Sequence, residues 1–293
     1  MKRRDFTKYA SLGAIAISAF GKIAFNGSKY VADCETTSDI LGPFYRPNAP
    51  LRNNLVVPGK EGMLVKLKGM VRLPDCTTPF KDARVELWHC SPDEIYDNDS
   101  DDFLYRGTTM CDENGAYEFT THLPVPYQAS PGNYRPAHFH MLISAPGYQS
   151  LVTQIYFKGD EYLDDDASSS SAAAQNRIVD VKKEGEMSVV EYHVTMQDKF
   201  LVSPESLDRI VGKYKMSKGD REMEFFKHEG QLWMKNEIFG LGFNYVGDNT
   251  FVYPGTSNPN TITFELIEDG GVTANILRVN GQGEETKMQA HKI

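Results

Sequence analysis

Hydrophobic and polar residues alternate along much of this chain with a period of two, the signature of a strand with one face in a core. Residues 63–72 read MLVKLKGMVR, residues 83–88 ARVELW and residues 116–119 AYEF. Turn-forming clusters punctuate them: Leu73-Pro74-Asp75, Asp112-Glu113-Asn114-Gly115, Ser130-Pro131-Gly132 and Ala145-Pro146-Gly147. Short strands at such spacing predict an antiparallel β-sandwich over residues 31–203. Ser203-Pro204-Glu205-Ser206 reads as a helix start or linker. Beyond it, residues 223–226, 231–234, 249–253, 261–267 and 272–277 are again strand-like, joined by His228-Glu229-Gly230, Gly247-Asp248-Asn249 and Asp269-Gly270-Gly271. Residues 204–293 are expected to form a second, small antiparallel domain. Closure into a barrel is the simplest way to hide its edges. The expected fold class is all-β.

The N-terminus adds a targeting signal. Arg3-Arg4 precedes an apolar stretch, residues 9–20, which together resemble a twin-arginine export signal over residues 1–30. The stretch falls short of the roughly 20 residues of a membrane span. The expectation is a periplasmic or otherwise exported protein, tied to a membrane only if the signal stays uncleaved as an anchor. The twin-arginine route carries folded proteins and so suits one that takes up a cofactor before crossing. Export also permits disulfides. The four cysteines, Cys34, Cys76, Cys90 and Cys111, allow three pairings, and no CxxC suggests zinc.

Charge excludes some partners. A net charge of -9 leaves no basic face for nucleic acid. The acidic runs 93–102 and 160–166 lack the glycine and closing glutamate of a calcium loop, and are expected to be solvated. The Ser/Ala tract 168–174 reads as a mobile loop.

The sharpest chemical signal is Arg135-Pro136-Ala137-His138-Phe139-His140. On a strand, His138 and His140 present two imidazoles on one face, with Phe139 on the other. That is half of a metal site. No downstream histidine or carboxylate has obvious ligand spacing. Tyr96 and Tyr127 occupy loop-like positions after strands; taken singly, each of these two among fifteen tyrosines reads as a surface or packing residue.

Taken together, V85-E-L-W-H89, Tyr96, D112-E-N-G-A-Y117, Leu123-Pro124 with Tyr127, and R135-P-A-H-F-H140 resemble the intradiol ring-cleavage dioxygenases, which act on catechol, hydroxyquinol or protocatechuate. L41-G-P-F-Y45 and T153-Q-I-Y-F157 resemble two further family segments, so the likeness covers about residues 38–165. The resemblance implies an Fe(III) enzyme whose ligands are Tyr96, Tyr127, His138 and His140. By the same carry-over Arg135 is the positive group beside the substrate, Gln154 a residue of the pocket or just behind the ligands, Tyr127 also a base, and Phe44, Tyr45 and Pro79 pocket-lining positions, with core packing an equal reading for these three. The implied partners are a small aromatic diol and O2, with a homo-oligomer possible. His89 is expected to pack behind the metal, Trp88 to anchor the core, and His122 to lie at an exposed strand end. Tyr105 and Tyr134 are the alternative tyrosines.

The likeness has limits. Because only a short stretch separates the signal-like segment from Gly42, the helical N-terminal segment that mediates dimerisation of catechol dioxygenases is not expected here, nor is that mode of dimer. The stretch between Tyr127 and Arg135 is short. The C-terminal domain lies outside the usual fold and resembles a small lipocalin-like domain. The competing reading is an exported sandwich that holds a metal, an aromatic or a carbohydrate without turnover.

Overall fold

The computed structural model describes residues 17–18, 21–25, 30–32 and 36–293, apart from 146, 149, 186, 197–201, 255–259, 268–269 and 281–283. The arginine pair Arg3-Arg4, most of the apolar stretch after it and Cys34 lie outside the described residues. Ile17–Ser18 (β1), Gly21–Phe25 (β2) and Tyr30–Ala32 (β3) pair as a three-stranded ribbon. Among the described residues no helix is long and apolar enough to cross a membrane.

Two sheets face each other, as the alternating pattern requires. One is built on Leu64–Arg72 (β4). Ala116–His122 (β7) flanks it on one side, and Met187–Glu191 (β14) and Val194–Thr195 (β15) flank it on the other. Lys182–Glu184 (β13) extends β14. The other sheet has Arg84–Trp88 (β5) and His138–Ser144 (β10) at its centre. Arg106–Met110 (β6) lies beyond β5, and Leu151–Phe157 (β11) and Ile178–Val179 (β12) lie beyond β10. Most ladders are antiparallel, but β4 with β14, β4 with β15, and β11 with β12 run parallel. Val65, Leu67, Val85, Leu87, Phe119, Phe139, Met141 and Ile155 are buried in the core between the sheets. The period of two then turns Trp88, His138, His140, Gln154 and Tyr156 to the opposite face of the β5–β10–β11 sheet. In register, His140 sits between Trp88 and Gln154, and His138 lies beside Tyr156.

Loops cover this second face. The hairpin of Tyr127–Ser130 (β8) and Asn133–Arg135 (β9) sets Tyr127 directly opposite Arg135. The acidic runs are solvated along much of their length, with Asp93, Asp99, Asp101, Asp164 and Asp165 exposed, but single carboxylates in each turn inward. The acidic run 160–166 and the tract after it fold back on the molecule: Asp160 accepts from the Ala137 amide (2.8 Å), and Ser168 and Ser169 are buried. In the other acidic run, Asp97 accepts from the amides of Ser100 (3.0 Å) and Leu104 (2.6 Å) and pairs with Arg46 (3.5 Å). A carboxylate surrounded by backbone N–H groups organises a loop, which composition alone does not reveal.

The C-terminal part is a closed eight-stranded barrel. The short helix Pro204–Ile210 (α1), capped by Ser203 Oγ accepting from the Ser206 amide (3.1 Å), leads into it. Its strands are Gly212–Met216 (β16), Glu222–His228 (β17), Gln231–Lys235 (β18), Gly240–Gly247 (β19), Thr250–Val252 (β20), Thr261–Leu266 (β21), Val272–Val279 (β22) and Glu285–Lys292 (β23). Tyr214, Phe225, Phe243, Phe251 and Phe264 fill its interior. Cys76 is disulfide-bonded, whereas Cys90 and Cys111 are free and buried.

Candidate metal centre

Four side chains from three segments meet on the outer face of the β5–β10–β11 sheet. His138 and His140 arrive by strand alternation. Tyr127 comes from the β8–β9 hairpin and Tyr96 from the long loop after β5. Buried Arg106 holds that loop: its Nε donates to the Asp97 carbonyl (2.7 Å), its Nη2 to Asn98 Oδ1 (3.1 Å) and its Nη1 to the Phe44 carbonyl (2.7 Å). One guanidinium thus fixes Tyr96 and the segment bearing Phe44 together. Phe44 stacks on Tyr96 at 4.3 Å and meets Tyr127 edge-on at 6.3 Å.

The donor atoms converge. His138 Nδ1 contacts the Pro136 carbonyl at 2.6 Å, so Nδ1 carries the proton and Nε2 presents a lone pair. That Nε2 lies 3.1 Å from His140 Nε2 and 3.3 Å from the Tyr96 hydroxyl. The Tyr127 ring stands 5.4 Å from that of Tyr96 and 5.7 Å from that of His138. Two donors bound at about 2.1 Å to one first-row ion, at right angles, lie about 3 Å apart, so this spacing fits a metal. Among the described residues no three His, Cys, Asp or Glu side chains are placed to hold a metal ion together. Completion of the site therefore falls to the phenols.

The electrostatics agree. Burial pushes His138 down to about 3 and His140 well below the usual imidazole value, so both are neutral donors. Burial raises Tyr96 well above the ordinary phenol, with Tyr127 adding to the effect. Burial also raises Tyr127, while Arg135 pulls it back. Two buried phenols facing two neutral imidazoles need a cation before they can ionise. The donor set suits an ion hard enough to favour phenolate oxygen and soft enough to accept imidazole.

Behind the donors runs a buried polar network. Arg135 donates from Nε to Asp166 Oδ2 (2.8 Å), and from Nη2 to Gln154 Oε1 (3.1 Å) and the Tyr156 oxygen (3.3 Å). Gln154 Nε2 donates to the Ile40 carbonyl (2.6 Å), and the Tyr156 hydroxyl to Asp39 (2.8 Å), which Arg177 grips in turn. Burial alone would lower the pKa of Arg135, but Tyr156 and Asp166 raise it above the ordinary value. It stays charged.

The other expectations sort by geometry. His89 uses both nitrogens, on the Cys90 carbonyl (2.7 Å) and Thr121 Oγ1 (2.9 Å), and packs on Phe139 at 5.0 Å. Tyr105 faces His89 and His122, and Tyr134 lies on Tyr162, so neither joins the donors. His122 is buried rather than exposed, closed in beneath Tyr105. Tyr45 turns away from the donors, onto Trp88 at 5.1 Å. Pro79 is exposed and bridged to Arg72 on the opposite sheet, so it does not line this site. Asp166, Tyr156 and Arg106 escaped the sequence reading; Asp166 was legible only as part of an acidic run.

Residues 40–200 match a family model described as Dioxygenase. The chain is 34% identical over 190 residues to a chlorocatechol 1,2-dioxygenase of Rhodococcus opacus, covering 57% of this chain and 73% of that protein. This chain belongs to the intradiol dioxygenase family. A catechol 1,2-dioxygenase of Candida albicans is 34% identical over 152 residues, covering 45% of this dioxygenase and 50% of that protein. Among solved structures, the catechol 1,2-dioxygenase of Pseudomonas arvilla C-1 is similar at a TM-score of 0.51 and 27% identity, covering 58% of this chain and 64% of that one. The chlorocatechol 1,2-dioxygenase of Pseudomonas putida gives 0.50 and 26%, covering 56% and 72%. The family match to this dioxygenase ends at residue 200, before the barrel begins at Gly212.

Proposed function

We propose that this protein cleaves a catechol-type diol between its two hydroxyls, on an iron(III) held by Tyr96, Tyr127, His138 and His140. The observation that carries the reading is the convergence of two neutral imidazoles and two phenols in one buried cluster. As phenolates, the two tyrosines would cancel two of the three charges of iron(III), which lowers the penalty of burying it. Bound there, the iron would supply the electron-accepting centre that opens the diol ring to attack by O2. Both atoms of O2 end in the two carboxyl groups of a muconate-type diacid. The reaction therefore balances as diol plus O2, with no further reductant.

The chain's own residues would do the rest. Phe44, stacked on Tyr96, offers an aromatic wall for the substrate ring. Tyr127 Oη, as a phenolate, would accept the proton of one substrate hydroxyl. Arg135, directly across the hairpin from Tyr127, would stabilise negative charge building on the ring as O2 adds. Gln154 would hold Arg135 in place from behind. The loops that bury Tyr96, Tyr127, His138 and His140 would also keep bulk water from the reacting carbons. Export belongs to the same proposal: the arginine pair precedes an apolar stretch, and a disulfide at Cys76 suits an oxidising compartment.

The test is the visible spectrum of purified, iron-loaded protein, before and after catechol is added without O2. Tyrosinate bound to iron(III) gives a broad visible charge-transfer band, and a bound catechol shifts it. A coloured protein with one iron per chain, a catechol-dependent shift and a diacid product on admitting O2 is expected. A protein that stays colourless after iron loading would remove the phenolate ligands and leave a non-catalytic binding sandwich as the better reading.

A further inference from the structure

The barrel has its own core, in which Tyr214 and four phenylalanines pack with Leu207 and Ile210 of α1. Strand alternation then turns Phe226 and Trp233 outward, opposite each other across β17 and β18. On an isolated barrel both would face water. Trp233 is instead 1% exposed. The neighbouring strand β19 is shaped around these rings. Gly242 pairs with Trp233, and a Cβ there would stand 3.2 Å from the indole. A Cβ at Gly240 would stand 2.9 Å from the Phe226 ring. The two glycines keep the barrel wall flat beneath two large side chains.

A polar rim surrounds this aromatic patch. Glu229 accepts from Arg84 Nη1 (2.6 Å) and from Ser144 Oγ (3.0 Å). Gln231 Nε2 donates to the Ser150 carbonyl (3.2 Å), and Asn244 Nδ2 to Ser38 Oγ (3.3 Å). Glu229 holds a φ of 49° at the hairpin tip, a conformation side chains seldom adopt. That turn aims its carboxylate at the sandwich. An apolar centre ringed by polar contacts is the anatomy of a lasting interface.

Beneath Trp233 lies the donor cluster. Trp233 packs on Tyr45 at 5.5 Å, Tyr45 lies edge-on to Trp88 at 5.1 Å, and Trp88 lies flat on His140 at 4.9 Å and 6°. These rings belong to one buried cluster with Tyr96 and Tyr127. A metal-binding histidine is ordinarily oriented by a hydrogen bond from its second nitrogen. His138 has that bond, to Pro136. His140 does not: its Nδ1, like Trp88 Nε1 and Trp233 Nε1, is buried with no hydrogen-bond partner among the described residues. The orientation of His140 therefore rests on packing, and the packing runs outward to the barrel.

We propose that the barrel is a wall of the catalytic centre, with Trp233 acting through Tyr45 and Trp88 as the positioning residue for His140. The proposal rests on reading His140 as an iron ligand. Without the indole, Tyr45 and Trp88 have room to tilt, and the His140 ring is free to swing its Nε2 away from the other donors.

The experiment compares full-length wild type with Trp233→Ala, Trp233→Phe and Gly242→Ala. In the metal-free proteins, proton NMR reads the His140 ring signals, which the stacked Trp88 displaces by its ring current. Trp233→Ala is expected to move those signals toward their unstacked positions, and Trp233→Phe to retain them. Gly242→Ala, which crowds the indole without removing it, is expected to move them by less. In iron-loaded protein, release of iron to a chelator is expected to speed up about tenfold in Trp233→Ala, and little in Trp233→Phe. Where Trp233→Ala fails to fold, Gly242→Ala decides. Unchanged His140 signals and iron release in folded variants overturn the proposal. A wild type that takes up no iron defeats the dioxygenase reading, while the metal-free spectra still decide whether Trp233 positions His140.

Discussion

Asp166 holds Arg135 by two contacts, Oδ2 to Nε at 2.8 Å and Oδ1 to Nη2 at 3.4 Å. Burial raises the Asp166 pKa, but Arg135 outweighs it and keeps the carboxyl below its ordinary value. The pair therefore stays ionised. Asp166 also accepts from the amides of Ser168 (3.1 Å) and Ser169 (2.9 Å). It thus ties a loop and a charged group of the site together.

Replacing Asp166 by Asn keeps the acceptor and removes the charge. Steady-state kinetics should show kcat/KM down by about tenfold, roughly 1.4 kcal/mol of transition-state stabilisation, with iron content unchanged. Asp166→Ala leaves a buried guanidinium unpaired, and thermal unfolding should show a loss on the order of 3 kcal/mol. A variant with normal kinetics would show that Gln154 and Tyr156 suffice to hold Arg135.

Tyr96→Phe and Tyr127→Phe each delete one phenol and keep its ring. Each is expected to weaken and move the visible band of the iron-loaded protein, and to lower turnover by about a hundredfold or more. Tyr105→Phe and Tyr134→Phe are the controls and should leave the band in place. A band that survives loss of both Tyr96 and Tyr127 would place the chromophore elsewhere.

Glu86 supplies a pH test away from the donors. Burial raises its pKa to about 7, against the pull of Arg84. The folded state then binds a proton that the unfolded chain has released. The resulting stabilisation is fully present below about 4.5, the unfolded value, and is lost as pH rises toward about 7. The full span is on the order of 3 kcal/mol at most, reduced by whatever water reaches the carboxyl. Glu86→Gln should flatten this slope in thermal melts and exceed wild type in stability at pH 8. Parallel pH profiles for the two proteins would count against it.

Arg106 joins the Tyr96 loop to the Phe44 segment through three acceptors. Arg106→Met should lower stability by about 2–4 kcal/mol, because buried carbonyls lose their donor. It should also loosen iron, seen as faster release to a chelator. Arg106→Lys should rescue little, since an ammonium lacks the planar fork that reaches three acceptors at once.

The strand period in the sequence places His138 and His140 on one face and Phe139 on the other, and β10 has that arrangement. Pairing rules alone yield two sheets and a barrel. The network behind the donors was not legible in the same way. Asp166, Tyr156 and Arg106 come from a loop, β11 and β6, and neither composition nor strand period marks any of them for the site. Within the acidic runs the inward-turned Asp97, Asp160 and Asp166 could not be told from their exposed neighbours, because a carboxylate in a loop reads the same whether it faces water or backbone amides. His122 misled for a related reason: a polar residue at a strand end carries no sign of what closes over it. Trp233 was visible only as an apolar strand residue. Nothing in its neighbourhood distinguishes a side chain inside a barrel from one turned out against another domain, except the glycines across from it.

Those glycines bear on what happens if the chain is cut between its two parts. The sandwich would carry away an oily patch at Tyr45 and Trp88, and the barrel a matching one at Phe226, Trp233 and Phe239. Neither fragment would be a tidy module. Mixed in solution, they should seek each other out, so the chain is a natural candidate for a split enzyme whose halves regain function on meeting.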